Sequence, residues 1–156
     1  YKIKKMNLDK TIKYDARYGN GMCSSDFNLF KTNSNLKKIE KDLTNIMESQ
    51  LKSEVYIIDS FFNILKSGSG TTPHNHVNQF DKNSGLIDQK YSLTYYLSIG
   101  DQNSNEPGIL KLYEPGHEIL PEKGMIVIIP ASRKHSAVYD GKKDRVMIGI
   151  NFYTLV

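Results

Sequence analysis

Pro73-His74-Asn75-His76 is the stretch of this sequence best placed to do chemistry. On an extended chain the side chains alternate faces, so His74 and His76 at i and i+2 point the same way and their imidazoles converge. Two converging neutral imidazoles chelate one divalent transition metal. They are half of the chain's four histidines. His135 stands downstream, just past the strand stop at Pro130, and supplies a third nitrogen if the chain folds back. Ten residues further on comes Arg145, on a strand-like run. His117, between Gly116 and Glu118, reads as a turn residue and stays outside the set. Imidazoles that leave coordination positions open suit ferrous iron and oxygen chemistry.

These groups need strands to hold them. Val55–Leu65 is β-branched and aromatic and reads as a strand, broken by Ser67-Gly68-Ser69-Gly70. Further strands are expected at Tyr91–Ile99, Gly108–Tyr113, Gly124–Ile129 and Arg145–Leu155, separated by Asn, Gly and Pro turns. In the first of these, Ser92, Thr94, Tyr96 and Ser98 share one face. In the last, Arg145, Met147, Gly149 and Asn151 share one face, and Val146, Ile148, Ile150 and Phe152 the other. A glycine inside a strand marks close approach by a ligand. Together these faces predict the wall of a polar cavity. The polar stretch 77–90 reads as a mobile loop between the histidine pair and the Tyr96 strand, placed to act as a lid on the substrate side.

Upstream lies the clearest helix. Leu36, Ile39, Leu43, Ile46, Met47 and Leu51 recur at spacings of three and four, predicting an amphipathic helix over 35–52 with Ser34 as its N-cap. Residues 1–32 read as irregular, with one or two short strands. No second helix is long enough for βαβ crossovers, so the strands should be antiparallel. The expected fold is mainly β: a jelly-roll sandwich or barrel with N-terminal helices packed on its larger sheet. We expect one domain over 1–156, with 1–54 as helical and irregular support and 55–156 as the β core.

Composition narrows the function classes. The chain has 156 residues, 38% of them hydrophobic, with mean hydropathy -0.49. No apolar run approaches the roughly 20 residues a bilayer span needs, and no signal peptide is evident, so a cytoplasmic protein is expected. Tyr1 in place of Met fits a piece of a longer protein. The single Cys23 excludes an internal disulfide framework and reads as an incidental or buried thiol. Net charge is +4, but the lysines are scattered, and no nucleic-acid face is expected. Oligomeric state is left open.

From about Phe61 to Tyr153 the chain resembles the double-stranded β-helix of the iron(II)/2-oxoglutarate-dependent oxygenases, closest to the prolyl-hydroxylase-like branch. The resemblance rests on Pro73–His76, Leu93–Leu97, Gly108–Tyr113, Pro121–Gly124 leading into Met125–Pro130, His135 and Arg145. It implies an enzyme that hydroxylates a peptidyl or small-molecule substrate, consumes O2 and 2-oxoglutarate, releases succinate and CO2, and uses ascorbate as an optional accessory. It implies His74, His76 and His135 as the metal and catalytic set. Arg145 and Tyr96 would take the far carboxylate of 2-oxoglutarate, and Leu110, Gly149 and Asn151 would complete the cosubstrate pocket.

One departure stands out. The family's usual pattern is His-x-Asp, and His76 occupies the Asp position, although some oxygenases of this branch are similar in carrying Pro-His-x-His. Three neutral ligands remain, as in the thiol dioxygenases of the cupin group. Asp81 or Asp88 would have to fold back to supply a carboxylate. Two other readings therefore stand beside the first: a three-histidine, cupin-like dioxygenase that needs no 2-oxoglutarate, and a non-catalytic metal-binding module.

Overall fold

A computed structural model describes residues 12–13, 22–24 and 27–155. Among the described residues, ten strands form two antiparallel sheets: β1 (Ile12–Lys13), β2 (Met22–Ser24), β3 (Glu54–Leu65), β4 (Ser69–His74), β5 (Lys90–Ser98), β6 (Pro107–Leu112), β7 (His117–Ile119), β8 (Ile126–Pro130), β9 (His135–Tyr139) and β10 (Arg145–Leu155). The larger sheet runs β1-β2-β3-β10-β5-β8 and the smaller β4-β9-β6-β7. From β3 onward the pairing nests: β3 with β10, β4 with β9, β5 with β8, and β6 with β7. That nesting is a long hairpin rolled on itself, the jelly-roll or double-stranded β-helix expected from the sequence. Of the stretch 1–32, expected to be irregular with one or two short strands, residues 1–11, 14–21 and 25–26 lie outside the described residues, as does the Cys23 side chain.

Alternation sorts β3, β5 and β10 of the larger sheet each into a helix-facing and a cavity-facing row. Val146, Ile148, Ile150 and Phe152 of β10 join Phe62, Ile64 and Leu93 in one apolar cluster. Two bulges adjust the rows. Asn151 pairs with Asp59 but Phe152 with Ile57, so Ile58 is the extra residue, and Val55 and Ile57 rejoin the helix-facing side. Val146 pairs with Ser98 but Met147 with Tyr96, which skips Leu97. The expected polar row on β5 therefore ends at Tyr96, and Ser98 instead caps the Asp144 carbonyl.

Helix α1 (Leu29–Thr32), a 3-10 turn at Ser34–Leu36 and helix α2 (Lys37–Leu51) cover that apolar cluster. Leu36, Leu43 and Met47 are buried, and Ile39 and Leu51 pack at the edge. Ser34 does not cap α2: it lies within the 3-10 turn, and Leu36 holds the N-cap position without a side-chain hydrogen bond. The exposed pairs Lys37–Glu40 and Lys38–Asp42 add little in water. Among the described residues, no helix is long and apolar enough to cross a membrane.

The stretch 77–90 is not an irregular loop. It folds into helix α3 (Gln79–Asn83) and a 3-10 turn at Ile87–Gln89. Asn78 and Asp81 form a reciprocal capping box at the start of α3. Asp81 is fully buried, and its carboxylate meets Lys90 Nζ at 2.8 Å. A segment so polar in sequence is thus tied to the barrel by a buried ion pair.

Candidate active site

Three histidines meet between the sheets. His74 is the last residue of β4 and pairs with His135, the first of β9. His76 lies beyond the strand, where its N–H donates to the Ala131 carbonyl at 2.8 Å. One ring nitrogen from each of the three lies within 4.8 Å of the other two. The rings of His76 and His135 are parallel with centroids 5.1 Å apart, and His74 is tilted against both.

Backbone carbonyls fix which nitrogens face inward. His74 Nδ1 lies 2.7 Å from the Thr72 carbonyl, and His135 Nδ1 lies 2.9 Å from the Arg133 carbonyl. A carbonyl only accepts, so both Nδ1 atoms carry the proton and donate, which leaves Nε2 as the lone-pair nitrogen. This is the orientation that holds metal-ligating histidines. His135 Nε2 and His76 Nε2 are 3.3 Å apart. If His76 carries its proton on Nε2 it donates to the His135 lone pair, and with a cation between them both lone pairs turn to the ion. Two nitrogens each about 2.1 Å from one ion, at angles from square to tetrahedral, are roughly 3.0–3.4 Å apart. The donor set therefore fits a divalent transition metal.

Burial keeps the His76 and His135 rings neutral, as metal binding requires. It lowers the His76 pKa to about 3, helped by the charges of His135, His74 and Lys90. Burial also lowers that of His135, against the opposing hydrogen bond to Arg133. An unfolded histidine takes up its proton near pH 6.5, before the folded His76 does, so acid favours unfolding over this window. In the metal-free protein the His76 ring should remain neutral from about pH 7.5 to about pH 5. Long-range nitrogen NMR checks this, and a titration midpoint near 6.5 would place the ring in water.

The same cavity reaches Arg145, which is 1% exposed. Its Nη1 donates to the Gly108 carbonyl, while Nε and Nη2 find no acceptor among the described residues. Gly108 has a φ of 85°, and a Cβ there would lie 1.7 Å from Nη1, so glycine makes room for the guanidinium. The guanidinium carbon sits 4.9 Å from the centre of the Tyr96 ring. Burial raises the Tyr96 pKa against the pull of Arg145, so the phenol stays protonated and able to donate. Two orphaned buried donors beside a phenol make a receptor for a carboxylate.

Leu110, Gly149 and Asn151 also line this cavity. Gly149 has a different reason from the one its sequence position suggests. A Cβ there would lie 2.4 Å from the Phe61 ring, so the glycine makes room for Phe61. Asn151 accepts from Ser92 Oγ at 2.5 Å and donates to Asp59 at 2.8 Å, and so stiffens the cavity wall across three strands. Asn63 escaped the sequence reading although alternation on β3 puts it on the inner face. It lines the cavity with a buried Oδ1 that has no partner among the described residues. Asp81, held by Lys90, does not reach the histidines as a ligand.

At the level of sequence, no family model and no curated protein matches the chain. Solved structures do match in shape. HygX from Streptomyces hygroscopicus, with nickel and 2-oxoglutarate bound, superposes with a TM-score of 0.71 over 98% of this chain and 77% of its own, at 8% identity. A prolyl hydroxylase from Trichoplax adhaerens, in complex with a peptide of hypoxia inducible factor, gives 0.68 over 97% and 74%, at 12% identity. The chain shares the fold of these proteins. A 2-oxoglutarate-Fe(II) oxygenase family member from Burkholderia pseudomallei gives 0.53 at 13% identity, with 70% of this chain covering 49% of that one. The chain thus spans about half the length of that oxygenase.

Proposed function

We propose that the protein is an Fe(II)/2-oxoglutarate-dependent oxygenase that hydroxylates a peptidyl or small-molecule substrate. The observation that carries this reading is one cavity with two receptors: three convergent imidazoles and, on the larger sheet, a buried arginine with unspent donors. The neighbours support it, since HygX holds nickel with 2-oxoglutarate and the Trichoplax enzyme holds a peptide.

In this reading His74, His76 and His135 hold the ion through their free nitrogens, and the Thr72 and Arg133 carbonyls keep two of the rings in the right tautomer. A bound ferrous ion supplies the O2 chemistry that couples decarboxylation of 2-oxoglutarate to succinate and CO2 with hydroxylation of the substrate. Arg145 grips the far carboxylate through Nε and Nη2, with Tyr96 donating beside it. Leu110, Val127 and Met147 flank the space between and exclude water from the cosubstrate's methylenes.

A three-histidine dioxygenase without 2-oxoglutarate leaves the Arg145 donors with nothing to bind, and so does a bare metal-binding module. The test is succinate release from 2-oxoglutarate with ferrous iron, O2 and a panel of peptides and amino acids. Slow release without substrate, accelerated by one class of the panel, is the expected result. No 2-oxoglutarate binding by the iron-loaded protein would overturn the proposal.

A further inference from the structure

His76 differs from the other two histidines in lying outside any strand. A ligand beyond the ladder needs another support, and the structure provides a connected one. The His76 N–H donates to the Ala131 carbonyl, and the Ala131 N–H donates to the Lys90 carbonyl, both at 2.8 Å. The Lys90 side chain turns back to Asp81 at 2.8 Å. Asp81 in turn accepts the N–H of Asn78, two residues after His76, at 2.7 Å. Its other oxygen accepts from the Tyr153 hydroxyl. Lys90 and Tyr153 face each other across β5 and β10. The chain around His76 is thus fastened on both sides to the end of the larger sheet.

Asp81 is 0% and Lys90 4% exposed. A buried ion pair stabilises little over apolar residues of similar shape, so its placement calls for a reason other than stability. Burial pushes the Asp81 carboxyl up, but the Asn78 N–H and the Lys90 and Tyr153 hydrogen bonds outweigh it and hold the group ionised. Tyr153 is correspondingly raised to about 12 by burial and by Asp81. Asp81 and Tyr153 thus each remain in the form that keeps their hydrogen bond closed.

We propose that Asp81, Lys90 and Tyr153 form a positioning lock that holds His76 in the metal site. This rests on the metal-site reading above. The lock lets a nitrogen ligand serve from outside the strand, because the ion pair supplies the rigidity that strand pairing supplies for His74.

The test measures cobalt(II) binding to the full chain by calorimetry, together with the visible absorption of the bound ion. In the double variant Asp81→Leu/Lys90→Met, no buried charge is left unpaired, so the barrel is expected to fold. Its cobalt affinity should fall by about 10- to 100-fold, the effect of losing a ligand's outer support. Adding His76→Ala to that variant should lower affinity no further, whereas His76→Ala alone should lower it by a similar factor. Tyr153→Phe, which keeps the ion pair, should lose roughly a factor of 3–10, as for one hydrogen bond. Leu43→Ala, destabilising but remote, should bind cobalt as the wild type does. Cobalt affinity within about twofold of wild type in both lock variants would overturn the lock. So would a full further loss on adding His76→Ala. A wild-type protein that binds no cobalt would overturn the metal-site reading itself, and the lock with it.

Discussion

Arg145→Ala should weaken 2-oxoglutarate binding by roughly 1.5–3 kcal/mol, about a 10- to 150-fold rise in Kd. The size follows from the state of the guanidinium. It is buried, one nitrogen is spent on the Gly108 carbonyl, and the other two have no acceptor among the described residues. Buried unsatisfied donors cost about 1–3 kcal/mol each, which the arriving carboxylate recovers. Arg145→Met makes the companion experiment, because it fills the space without charge. It should lose the same affinity while the ligand-free protein unfolds at no lower denaturant concentration than wild type. Calorimetry and chemical denaturation read the two effects separately. Unchanged affinity in either variant would refute the role.

Leu43→Ala should cost roughly 2–5 kcal/mol of stability, as truncations of buried leucines do. Leu43 is 3% exposed in the cluster that joins α2 to the helix-facing side of β3, β5 and β10. The site occupies the opposite face of those strands, so affinity for metal and 2-oxoglutarate should be unaffected in the protein that remains folded. A loss below about 0.5 kcal/mol in chemical denaturation would place α2 outside the core.

These two residues also show where the sequence was informative. The stripe containing Leu43 and the two rows of β10 are period signals, 3.6 and 2, and both map directly onto the faces observed. The His74–His135 pair was legible as residues but not as a ladder. The strand at His135–Tyr139 is short and carries no apolar alternation long enough to read, and the strand at His117–Ile119 is shorter still. Bulges are silent in a single sequence, so the polar row of β5 was carried one position too far, to Ser98. The stretch 77–90 was misread for a different reason. Aspartate and lysine are ordinarily solvated, and nothing local announces that Asp81 and Lys90 are buried against each other, since their pairing depends on β10 supplying Tyr153. The role of Gly149 is hidden for the same reason. Which glycine makes room for a functional group depends on the partner across the barrel, Phe61 in one case and Arg145 in the other.

The central claim is that His74, His76 and His135 bind one ion. Anomalous diffraction from crystals soaked in ferrous or manganous ion tests it most directly. The account predicts a single peak about 2.0–2.2 Å from a ring nitrogen of each of the three histidines. A peak beyond about 3 Å from both ring nitrogens of His76, farther than any coordination bond, would contradict it.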